Sequence, residues 1–181
     1  MKNTQNPSAL RSRKEITDAL LSLMRKYPYS EISVKQIVME TSLARKTFYL
    51  NFDSKDDVLN SIIDGLILEY TESLSSAKDS PIPVIFEFCG KHREYLSLLH
   101  RNNMQHLLLT RLNKIIPEYN NNTMDMSNNP FAHLIGDLEP DYLIAFNIGA
   151  IWNVIFKWVD RGMIDSLDDI ENTIQQYLKR F

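Results

Sequence analysis

One cysteine stands alone among 181 residues, and that scarcity excludes an internal disulfide framework. Cys89 sits in the apolar run VIFEFCG, where a reduced, buried thiol is expected. No stretch reaches the roughly 18 uninterrupted apolar residues of a membrane span. The opening segment MKNTQNPSALRSRKE is polar and lacks the apolar centre of a secretory signal, so a cytoplasmic protein is expected. The signatures of common chemistries are missing as well. There is no nucleophile elbow, no phosphate-cradling glycine loop with its lysine, and no H-E-x-x-H pair. Cys89 and His92 are three apart and share a helical face, a spacing that suits zinc, with His100 and His106 further on. No second tight pair accompanies them. Neither an enzyme, nor a metal site, nor any cofactor is expected.

What is present is helix and an uneven charge. A hydrophobic content of 44% over this length supplies a sizeable core. The formal net charge of -3 conceals a division: residues 1–55 hold ten Lys/Arg against five Asp/Glu, and the remainder holds ten against eighteen. A basic first third on an acidic remainder is the electrostatic footprint of a nucleic-acid-reading head on a body with another task.

Ile16, Leu20, Leu23, Met24 and Tyr27 recur at helical spacing, which predicts an amphipathic first helix from about Leu10 to Lys26, ended with the help of Pro28. Ser33, three residues before Gln36, reads as a capping box opening a second short helix with Ile37 and Val38 on its buried side. A short polar connection through Thr41, Ser42 and Leu43 leads to a third helix, from about Ala44 to Leu50. Asp53 or Ser54 caps a fourth helix through Val58, Leu59, Ile62, Ile63, Leu66 and Ile67. The free N–H groups at its start, with Lys55 beside them, predict a corner that holds a phosphate. Two short helices separated by a tight turn, the second basic and aromatic, are what a helix-turn-helix requires to enter a major groove. Phe48 and Phe52, four apart, are expected in the core.

From Ile16 to Leu59 the chain resembles the TetR family of bacterial transcriptional regulators. ISVKQIV stands for the family's T-x-x-x-I-A, and SLARKTFYLNFDSKDDVL for its G-V-S-x-G-T-L-Y-x-H-F-x-x-K-E-x-L, with Thr47, Phe48, Tyr49, Phe52 and Lys55 on the family's positions. Three positions depart from the pattern. Ser42 replaces the usual glycine, so a left-handed turn would be strained. Ala44 replaces a Ser or Thr cap, forfeiting about 1 kcal/mol. Asn51 replaces a His or Tyr that often meets a phosphate, though an amide can still donate. The resemblance implies Lys35, Arg45, Lys46 and Tyr49 facing the groove, with Thr47, Asn51 and Lys55 on phosphates. Lys2, Arg11, Arg13 and Lys14 either add backbone contacts or belong to a solvated tail.

One head reads too few base pairs for specificity, so a homodimer on a palindromic double-stranded operator is expected. YLIAFNIGAIWNVIF, Tyr142 to Phe156, is apolar around its circumference, too short and too polar at its ends to span a bilayer, and carries Gly149 and Ala150 where another helix can approach. After Gly162, Ser166 with Asp169 predicts a second capping box, and Ile170, Ile174, Tyr177 and Leu178 form a stripe. Helices at about 141–161 and 167–180 would meet their symmetry mates in a four-helix bundle, which the resemblance also implies. Between head and bundle, Pro81 and Pro83 open an apolar segment, followed by two helices broken near Asn102 and Asn103 and a polar loop from Asn120 to Pro130. The resemblance places a small-molecule effector pocket among such helices, with Phe86, Tyr95, Leu99, Met104, Leu108, Phe131, Phe146 and Trp152 as candidate lining; plain core is the alternative for each. The expected architecture is all-α, about nine helices in all: a flexible arm at 1–9, a helix-turn-helix DNA-binding domain at 10–56, and a helical ligand-binding and dimerisation domain at 57–181. The expected function is a homodimeric repressor released from its operator by the effector. Activation, control by a protein partner, or a helical interaction module or enzyme with an incidental basic face are the competing readings.

Overall fold

A computed structural model describes residues 6–75, 81–123 and 139–180. The described residues form nine α-helices, one short 3-10 helix and no strand. By contacts the chain divides into two compact units, Met1–Gly65 and Leu66–Phe181.

The first unit opens with α1, Pro7–Lys26. It starts one turn earlier than its apolar period suggests, because Asn6 Oδ1 accepts from Ser8 N at 3.0 Å and Pro7 occupies the first turn, where its missing N–H costs nothing. Ile16, Leu20, Leu23 and Met24 are buried as expected. Tyr27 is not: it lies past the helix end, 46% exposed, and Tyr29 from a 3-10 turn, Tyr29–Glu31, is buried instead. α2 (Val34–Met39) begins with the full capping box, Ser33 Oγ accepting from Gln36 N and Gln36 Oε1 accepting from Ser33 N. α3 (Arg45–Asn51) follows, and α1 packs on both α2 and α3. Ile16, Leu20, Ile37, Phe48 and Phe52 are almost wholly removed from water, each contributing about 1.5–3 kcal/mol. Val38, expected beside Ile37, is only half-buried. α4 (Lys55–Ser75) starts at Ser54, whose Oγ accepts from Asp57 N at 3.1 Å.

The second unit contains α5 (Pro81–Lys91), α6 (Arg93–Arg101), α7 (Gln105–Thr123), α8 (Pro140–Asp160) and α9 (Leu167–Leu178). α8 is its central element, packed on α6 and α7, while α9 lies on α5. Asn103, at φ 56°, makes the expected break between α6 and α7. α7 extends through Thr123, so the first residues of the anticipated Asn120–Pro130 loop are helical, and the rest lie outside the described residues.

α8 is 21 residues long, which corrects the reading that it is too short to span a membrane. By length and composition Asp141–Asp160 could cross one, and half of that window is buried within the unit. Its end is fixed by Gly162 (φ 76°) and Met163 (φ 58°). Arg93 Nη2 donates to the Met163 carbonyl at 2.7 Å, and Trp158 Nε1 donates to Asp165 O at 2.9 Å, which holds the left-handed pair in place. At α9, Ser166 Oγ accepts from Asp169 N, but Asp169 accepts from the Ser166 hydroxyl rather than its N–H, so the second box is half formed.

Candidate nucleic-acid interface

The two-turn helix α3 buries Phe48 completely and leaves Arg45, Lys46, Tyr49 and Leu50 exposed on its other side. Phe48 lies edge-on to Tyr49, ring centres 5.4 Å apart, and 6.2 Å from Phe52. The apolar face is thereby keyed to α1, and the cationic face is left to solvent. Arg45 stands over the Tyr49 ring at 5.7 Å with Nη2 donating to the Tyr49 hydroxyl at 3.4 Å. Lys35, near the start of α2, is also exposed, and Thr47 is half-buried.

The turn into α3 departs from expectation in its solution rather than in its sequence. Ser42 does not adopt a positive φ, so no left-handed strain arises there. Its N–H and hydroxyl both donate to Glu15 Oε1, and these bonds, the backbone one foremost, hold the Glu15 carboxyl below the usual range. A carboxylate from α1 thus ties the turn to the first helix. Thr41 Oγ1 accepts from Leu43 N at 3.2 Å, tightening the same turn. Across it, Glu40 accepts from Lys26 and Ser22 of α1, which holds its carboxyl low in turn.

Ala44 is the N-cap of α3 and makes no side-chain cap bond. Replacing Ala44 with Ser, at φ -72° and ψ 148° where a serine cap is relaxed, is expected to stabilise the chain by about 1 kcal/mol. Thermal denaturation reads this as a raised midpoint, and an unchanged or lowered midpoint would refute the assignment of Ala44 as cap.

Two of the residues expected at phosphates, Lys55 and Asn51, make bonds within the protein. Lys55 Nζ donates to the carbonyls of Tyr29 at 2.7 Å and Ile32 at 2.8 Å, with Ser30 O at 3.5 Å, and stands 4.4 Å from the Tyr29 ring centre. Its ammonium is a clip on the α1–α2 connection, because clustered carbonyls at that connection match its three donors. The first turn of α4 carries Asp56 and Asp57. Asp57 accepts from Asp53 N at 3.1 Å and Asp56 from the Tyr29 hydroxyl, so the corner already holds carboxylates of its own. The Tyr29 hydroxyl is pushed far above its usual range by burial and then by Asp56. Asn51 spends an amide N–H on Thr47 O at 2.8 Å within its own helix.

Three residues that hold this face in place escape a periodicity reading: Glu15, Tyr29 and Arg13. Arg13, expected with the basic arm, donates to Asn51 O and Ser61 Oγ. Their partners are 26 to 48 positions away, and no local spacing announces such pairs. Lys2 lies outside the described residues, while Arg11 and Lys14 are exposed.

In the second unit, Phe86, Leu99, Leu108 and Trp152 are buried, Tyr95 and Met104 half-buried. Phe146 is 56% exposed, and Phe131 lies outside the described residues. Cys89 is fully buried, its thiol pushed far up by desolvation, and His92 bonds Glu69 through Nε2 at 3.0 Å. Among the described residues no group of three metal-ligating side chains comes together.

Residues 16–62 match the model of the bacterial regulatory proteins of the tetR family. No curated protein sequence matches the chain. Among solved structures, the chain is similar to the dihydroxyacetone kinase operon activator DhaS, at 19% identity and TM-score 0.58 over 94% of this chain and 96% of that one. It is similar to the fatty acid degradation regulator FadR from Bacillus halodurans, at 17% identity and TM-score 0.60 over 97% and 96%. It is likewise similar to a TetR transcriptional regulator from Streptococcus agalactiae 2603V, at 16% identity and TM-score 0.63 over 96% and 94%. Those likenesses show the fold over nearly the whole length, and residues 16–62 are a DNA-binding head of the tetR family of bacterial regulatory proteins.

Proposed function

We propose that the protein is a homodimeric repressor that binds a palindromic operator in the cytoplasm and is released by a small-molecule effector. The supporting observation is the exposed apolar face of α8. Tyr142 is 72% and Phe146 56% exposed on it, and Gly149, one turn further, has nothing within 4 Å of where a Cβ would stand. Asn153 on the same face turns its amide back to Gly149 O, which reduces its need for water. On α9, Tyr177 is 58% exposed and Ile170 and Ile174 are half-buried. An apolar stripe with a glycine at its centre fits a second copy of the same helix, and a two-fold pairing of α8 and α9 would make a four-helix bundle.

Reading of the operator is assigned to Arg45, Lys46 and Tyr49 for base edges, with Lys35 and Thr47 beside them and Asn51 accessory. The proposed division of labour is DNA binding in 10–56 and effector binding and dimerisation in 57–181, while the contact boundary falls after Gly65. The effector would lie among Phe86, Tyr95, Leu99, Met104, Leu108 and Trp152, and would act by favouring a head spacing that no longer matches one helical turn of DNA. Activation is the second reading, favoured by the operon activator among the similar structures.

Phe146→Glu is expected to convert the dimer to a monomer in light scattering, since a charge without a partner in an apolar interface is strongly unfavourable. It should also weaken a two-half-site duplex far more than a single half-site. A dimer that persists would remove α8 from the interface. A ligand panel read by thermal shift, together with a transcription assay on the mapped operator, decides effector and output; a transcript that falls when the protein is deleted favours the activator.

A further inference from the structure

Arg13 lies on α1, outside the reading helix, yet its guanidinium is held from three sides. Nη1 donates to the carbonyl of Asn51, the last residue of α3, at 2.7 Å, and Nη2 donates to Ser61 Oγ on α4 at 3.1 Å. The guanidinium carbon stands 4.1 Å from the centre of the Phe52 ring. Carbonyls in the final turn of a helix have no partner inside it and form the negative end of its dipole. A planar cation with forked donors satisfies that end while reaching a second element and stacking on a ring.

We propose that Arg13 is a positioning residue for DNA reading: it fixes the C-terminal end of α3 against α1 and α4 and so sets the direction in which Arg45, Lys46 and Tyr49 project. α3 has seven residues and no side-chain cap at Ala44, so its own hydrogen bonds hold its orientation weakly. The Phe48 side chain seats its middle, and Arg13 secures its C-terminal end. The proposal rests on the assignment of the exposed α3 face to base reading.

The test uses the full chain with Arg13→Gln, Arg13→Lys and Ser61→Ala. The probes are a fluorescein-labelled duplex enriched from a random-sequence library by the wild-type protein, and an unselected duplex of equal length. All are measured below each variant's thermal midpoint. Arg13→Gln is expected to weaken the selected duplex about tenfold or more and the unselected one by less than about twofold. The salt dependence on the selected duplex should keep its wild-type slope, because no phosphate contact is lost. Arg13→Lys should recover part of the loss, and Ser61→Ala should show a smaller loss in the same sense. Equal losses on both duplexes with a slope reduced by about one would make Arg13 a phosphate contact and overturn the proposal. Unchanged binding in Arg13→Gln would overturn it too, as would unchanged binding in Ser61→Ala should the Gln variant fail to fold. A wild-type chain that enriches no sequence would overturn the base-reading assignment, and the positioning role with it.

Discussion

Lys55→Ala is expected to lower the thermal midpoint of the head by on the order of 10 °C, from a loss of about 2 kcal/mol. The magnitude follows from what the ammonium does. It satisfies the carbonyls of Tyr29 and Ile32 together and covers the Tyr29 ring, whose hydroxyl is tied to Asp56. Charge-assisted bonds of this kind are each worth more than a neutral one, and their removal leaves partly buried carbonyls unsatisfied. The same substitution would behave differently if Lys55 met a phosphate: the midpoint would hold and the salt slope of operator binding would fall by about one. Denaturation followed by circular dichroism, with binding titrated at several salt concentrations, separates the outcomes. An unchanged midpoint sinks the clip.

Phe48→Ala is expected to unfold the head and abolish specific binding while the second unit stays helical. The ring is fully buried against the first unit's core and is in contact with both Tyr49 and Phe52. Deleting such a side chain costs about 3–5 kcal/mol, a sum of lost transfer energy and residual cavity. A unit the size of Met1–Gly65 buries a modest share of its surface, and its whole stability is only about that large. The far-ultraviolet signal should fall by the head's share of helix and the remaining transition should be that of the body. Specific binding at wild-type strength would show that the head tolerates the cavity, and Phe48 would lose its place as its keystone. Phe48→Leu, which keeps most of the volume, should bind.

Local chemistry was legible where it is strictly local. The capping box at Ser33 and Gln36, the uncapped Ala44, the burial of Phe48 and Phe52 four apart, and the break at Asn103 each depend on neighbours within a few positions. Element ends were less so: α1 gains a turn from Asn6 and Pro7, and α7 carries Asn-rich residues that composition assigns to a loop.

By itself, the sequence determined an all-helical chain with a basic, aromatic helix-turn-helix near its start, because helical period, caps and charge are written in short spacings. Tertiary structure alone decided which charged residues belong to the framework and which face outward. Lys46 and Lys55, or Lys14 and Arg13, look alike as residues. One of each pair is exposed, and the other meets carbonyls more than twenty positions away along the chain. The same holds for Ser42, whose N–H and hydroxyl meet Glu15 of α1. A long-range hydrogen bond has no period, so only the packing of α1 against α2, α3 and α4 could reveal it.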